Sequence, residues 1–164
     1  MKSILAILVC CIALESGGQQ KLLISTADFK SAAGYWKGSL TYLDYGSGKP
    51  FSMPANVMLS LEKTKLVVLS NEYPNEPKAN NRDSLIISDD GTMLDGAKVV
   101  SREILEDGAV KIITQKTGND GNDHRAALLK YIYILGKNSF QQRKEVKFVG
   151  TDQWIMRHEF LYSR

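Results

Sequence analysis

Two side chains change charge near neutral pH, His124 and His158. His124 follows the Asn/Asp-rich run Gly118–Asp123 and reads as a solvated turn residue. His158 stands between Met156 and Phe160 in an alternating segment, either as a core histidine with one polar partner or as a polar contact in a pocket. No His-x-x-x-His or Cys-x-x-Cys spacing is present, so no metal ligand is assigned. Asn119, Asp120, Asn122 and Asp123, with the Asp89-Asp90 pair, offer hard oxygens to calcium. They lack the Gly and terminal Glu of an EF-hand loop, and such residues also favour turns by bonding their own backbone. No Gly-x-Ser-x-Gly elbow marks a nucleophilic serine, and Gly46-Ser47-Gly48-Lys49-Pro50 lacks phosphate-loop spacing. Glu72 and Glu103 are acid–base candidates by type alone, since charged residues on strands usually face water. No catalytic residue and no cofactor is assigned, and an enzyme ranks behind a binder and an interaction module.

Lys137, Arg143, Lys144 and Lys147 flank aromatics, as single-strand nucleic-acid binding can require. Glu145 interrupts them, and 21 Lys+Arg against 18 Asp+Glu give a net charge of only +3. A solvated outer face fits better, and no nucleic-acid partner is expected. Aromatics are the more telling set. Tyr42, Tyr131, Tyr133, Trp154, Phe160 and Tyr162, together with His158, form the candidate pocket lining. Rings with polar tips are the material of small-molecule pockets.

Strands must position these residues. In Ser52–Glu62 every odd position is apolar and most even ones are polar. Trp36, Gly38, Leu40 and Tyr42 alternate with Lys37, Ser39 and Thr41. Trp154, Met156, His158, Phe160 and Tyr162 share a face opposite Ile155, Arg157, Glu159 and Leu161. Gly, Asp and Asn clusters punctuate the chain at hairpin intervals, with Asp107-Gly108 the strongest turn signal. The count is nine or ten strands in up-and-down order, with one short helix over Thr26–Ala33 capped by Ser25 or Thr26. Asn71–Asp83, with two prolines, reads as an exposed loop. At 164 residues the chain suits a single domain. A closed antiparallel barrel of about 8–10 strands removes the exposed edges that such a meander would leave.

The N-terminus is read as a targeting segment. Met1-Lys2-Ser3 precedes the apolar run Ile4–Leu14, which is far short of the roughly 20 residues a spanning helix needs. Ser16, Gly17 and Gly18 predict cleavage before Gln19. Residues 1–18 are then a signal peptide and 19–164 one domain, secreted or periplasmic, with no membrane span. Cys10 and Cys11, the two cysteines of the chain, fall inside this segment and leave the mature chain without a thiol. A lipid anchor through Cys10 or Cys11 is the alternative, but no Gly, Ala or Ser stands immediately before either cysteine.

Asp28-Phe29, followed by Gly34-Tyr35-Trp36-Lys37-Gly38, resembles the entry of calycin barrels, the superfamily of lipocalins and fatty-acid-binding proteins. The resemblance implies a secreted, bacterial, lipocalin-like protein that binds a small hydrophobic molecule without catalysis. It further implies that Gly34 and Trp36 close one barrel end, with an arginine of the last strand, Arg157 or Arg164, against the indole. Alternation turns Arg157 away from the Trp154/His158 face. The mature chain also lacks lipocalin-type disulfides. The alternative function is a protein–protein interaction or structural module of the cell envelope. It would act through its outer face, with loop Asn71–Asp83 and the basic strand Phe140–Val149 as candidate surfaces.

Overall fold

The computed structural model describes residues 22–44 and 46–164. The segment read as a signal peptide, with Cys10 and Cys11, lies outside the described residues. Among those described, no helix is long and apolar enough to cross a membrane.

Ser25 starts a short 3-10 helix, Thr26–Ala32: its hydroxyl accepts the Ala27 N–H at 3.3 Å, and the Asp28 carboxylate accepts the Ser25 N–H at 2.9 Å. This reciprocal capping satisfies donors that a helix start would leave bare. The helix stops one residue short of the expected end because Ala33 is already extended and Gly34 turns the chain at φ +114°.

Ten strands follow: β1 Gly34–Asp44, β2 Lys49–Glu62, β3 Leu66–Glu72, β4 Asn81–Ile86, β5 Met93–Leu94, β6 Ala97–Ile104, β7 Val110–Asp120, β8 Arg125–Leu135, β9 Ser139–Phe148 and β10 Ile155–Ser163. They form one antiparallel sheet in the order β4-β3-β2-β1-β10-β9-β8-β7-β6-β5. First and last strands pair directly, while β4 and β5 meet through the single bridge Ile87↔Leu94. The result is a nearly closed, up-and-down all-β barrel.

The loop expected over Asn71–Asp83 is shorter than its composition suggests. Asn71 donates to Asn81 Oδ1 at 2.7 Å and to Asp83 Oδ2 at 3.0 Å, and the Tyr73 N–H reaches Asn80 Oδ1 at 2.7 Å. Side-chain bonds between polar strand ends hold β3 and β4 together where strand propensity is low.

Inward positions follow period 2 along β2, where Met53, Ala55, Val57 and Leu59 are buried. At the helix end of the barrel, Ile24 and Phe29 pack with Trp36, Val57, Leu59, Ile112, Leu135 and Phe140 into the main core. Each such large side chain contributes about 1.5–3 kcal/mol by leaving water.

Strand β10 departs from alternation. A register shift between Met156 and His158 inserts one residue, so Arg157 and His158 both face inward. Met156 instead sits opposite Glu145 on the outer wall. The single face expected for Trp154, Met156, His158, Phe160 and Tyr162 is therefore split.

Candidate binding cavity

One end of the barrel is filled. Trp36 is fully buried; its indole N–H donates to the Ala32 carbonyl at 2.7 Å, and the Phe140 ring meets it edge-on at 6.2 Å. The Arg164 guanidinium lies 3.8 Å from the indole centroid and donates to the Ala33 carbonyl. Gly34 makes this approach possible, since a Cβ there would stand 2.9 Å from Arg164 Nη2. At Gly38 a Cβ would stand 2.1 Å from the Leu161 carbonyl and 2.7 Å from the Tyr162 ring. Glycine lets Tyr162 lie across β1 and stack on Phe140 at 5.2 Å and Phe160 at 5.8 Å. Tyr162 thus belongs to the core and is not among the residues lining the cavity. Burial, more than any neighbouring charge, pushes its hydroxyl pKa up.

Arg157 does not reach this end. Tyr42 pairs with His158 and Lys37 with Ser163, so about 20 Å of strand separates Arg157 from Trp36 at ~3.3 Å per residue.

Toward the other end the barrel is hollow. A cavity of about 520 Å³ is lined by Tyr42, Tyr131, Tyr133, His158 and Phe160 from the candidate set, a size within the usual range for small-molecule pockets. Leu40, Leu69, Tyr73, Asp83, Ser84, Leu85, Asp95 and Gln142 complete it. Trp154 does not line it: Lys130 Nζ lies 3.8 Å and Lys147 Nζ 5.6 Å from its ring on the outer wall. Burial raises the Tyr131 and Tyr133 hydroxyl pKa values, which keeps both as neutral donors. Tyr73 is raised by burial and then by Asp83. His158 is lowered to about 4, first by burial and then by Lys144. It therefore stands in the wall as a neutral imidazole at pH 7.

A second, more polar compartment of about 440 Å³ shares Tyr42 and His158 with the first. Its centre is Asp120, buried, accepting from Arg157 Nε at 2.8 Å and from Lys144 Nζ at 2.5 Å. Burial lowers the Arg157 pKa. Removing one partner of a buried ion pair typically costs about 3–5 kcal/mol, so the cluster also holds β7, β9 and β10 in register.

The carboxylates considered for calcium have protein partners, Asp123 among them at 3.8 Å from Arg125 Nε. Asp120 is in this cluster, Asp89 meets Lys65 Nζ at 2.5 Å, and Asp90 accepts the Ser88 hydroxyl at 2.8 Å and the Thr92 N–H at 3.1 Å. His124 occupies the tight turn between β7 and β8 at φ +50° and is exposed.

A scan against protein-family models and a search of curated proteins found no match. Among solved structures the chain is similar to the crystal structure of Rv2717c from M. tuberculosis, with a TM-score of 0.55 at 10% identity. The alignment covers 85% of this chain and 96% of that one. At that identity the likeness is one of fold, and the barrel is what the two chains share.

Proposed function

We propose that this chain is an exported, lipocalin-like carrier of the calycin type. It holds a small hydrophobic molecule inside its barrel without transforming it. The observation that carries this reading is the inner cavity of about 520 Å³, walled by leucine, phenylalanine and tyrosine side chains that alternate inward from several strands. A barrel of this strand number is wide enough for one small ligand. The tyrosine hydroxyls, Gln142 and neutral His158 supply the few polar points that orient a guest. Leu40, Leu69 and Leu85 supply apolar surface worth about 25 cal/mol per Å² covered. Export to the periplasm or the exterior rests on the reading of residues 1–18.

Native mass spectrometry of the purified protein tests the function. The expected spectrum contains a species heavier than the polypeptide by one small molecule. That species should be depleted in Leu40→Trp, whose larger side chain occupies part of the cavity beside Tyr42 and Phe160. A single apo mass that stays unchanged after incubation with a library of apolar compounds would overturn the carrier reading.

A further inference from the structure

The two compartments differ in charge, and the difference selects a ligand class. The inner cavity is lined by Asp83 and Asp95 and by neither lysine nor arginine. The outer compartment is lined by Lys144 and Arg157, with Asp120 between them. Asp44, the other carboxylate there, is held in its own turn by the N–H groups of Gly46 and Ser47 at 3.0 and 3.1 Å. Tyr42 and His158, cross-strand partners on β1 and β10, line both compartments, so the two adjoin at these side chains.

Lys144 is the decisive side chain. Its ammonium carries three donors, and its one bond to a described residue goes to Asp120. The side chain is only 20% exposed. A partly desolvated cation with donors to spare gains more from an anion than a solvated one does. The inner walls add the second half of the specification: the rings of Tyr42, Tyr73, Tyr131, Tyr133 and Phe160 favour offset or edge contacts with another aromatic system.

We infer that the ligand is an apolar aromatic molecule bearing one acidic group, with its rings in the inner cavity and its acid at Lys144 and Arg157. This rests on the carrier reading above and deepens it. Asp83 and Asp95 line the inner cavity, Asp95 with Lys116 3.9 Å away, and their carboxylates favour the orientation that keeps the acid at Lys144.

A matched pair of fluorescent probes tests the inference: 1-anilinonaphthalene-8-sulfonate, and N-phenyl-1-naphthylamine, the same ring framework without the sulfonate. Both brighten on entering an apolar cavity. The purified protein is expected to bind the sulfonate about tenfold or more tightly than the amine, the scale of one hydrogen bond to a charged group. Lys144→Met should bring the ratio close to one, and Lys144→Arg should retain the preference. Should Lys144→Met fail to fold, the Lys144 ¹³Cε resonance of the wild type decides, shifting with the sulfonate and staying still with the amine. Equal affinity for both probes, or a preference that survives Lys144→Met, would overturn the acid site and leave the carrier reading intact. Failure of both probes to bind would overturn the two together.

Discussion

Trp36→Ala is expected to lower the unfolding free energy by about 3–5 kcal/mol, the range for deleting a large buried aromatic. The melting temperature of a domain this size should fall by roughly 10 °C. The indole is 0% exposed, and three different elements depend on it. Phe140 of β9 meets it edge-on, Arg164 beyond β10 lies over its face, and the helix offers it the Ala32 carbonyl. Its loss opens a void where the helix is docked and orphans that carbonyl. Trp36→Phe keeps a ring and loses the hydrogen bond, so a smaller cost of about 1–3 kcal/mol is expected. Thermal and urea melts of both variants beside the wild type are the check. A wild-type melt for Trp36→Ala would remove the tryptophan from its place as the plug of the barrel.

Acid should weaken the protein through His158. The imidazole pKa falls from an ordinary 6.5 to about 4 in the folded state, because burial and then the Lys144 ammonium oppose its charging. Above pH 6.5 the ring is neutral whether the chain is folded or not, and it contributes no pH dependence. As pH falls from there toward 4, the unfolded chain takes up a proton that the folded chain refuses, so stability drops. Below 4 the loss is complete, at about 3 kcal/mol for this group alone. Denaturant melts between pH 7.5 and 4 should show that His158→Gln loses less stability than the wild type by about this amount. Parallel pH profiles for the two proteins would mean that His158 titrates normally and is well solvated. The groups around it fit the sign: Lys144 and Arg157 oppose protonation, and Asp120 supports it without offsetting the desolvation.

The barrel was legible because its signal is local. Alternation in Ser52–Glu62 and turn residues between strands need no knowledge of the partner strand. Trp36, with Gly34 beside it, stood out for the same reason. What stayed hidden depends on neighbours far along the chain. The residue inserted between Met156 and His158 brings Arg157 inward and sends Met156 outward, and nothing in the period-2 pattern of β10 marks it. Trp154, just ahead of that shift, lies on Lys130 of the outer wall, while Tyr162 is drawn into the core by the bare backbone of Gly38. Asp83 and Asp95 enter the cavity from segments that read as turn and loop, and Asp120 looked like a calcium ligand or turn former until β9 and β10 brought Lys144 and Arg157 against it. Charge pairing across strands is set by register, which single positions do not encode.

Leucine methyl NMR asks most directly whether a guest lies inside the barrel or on it. Titration with N-phenyl-1-naphthylamine is expected to shift the methyl resonances of Leu40, Leu69 and Leu85, which line the inner cavity. The methyls of Leu23 and Leu161, 47% and 48% exposed on the outside, should not move. Shifts confined to Leu161 and other outward methyls, with the three inward leucines silent, would contradict the account and make the outer wall the working surface.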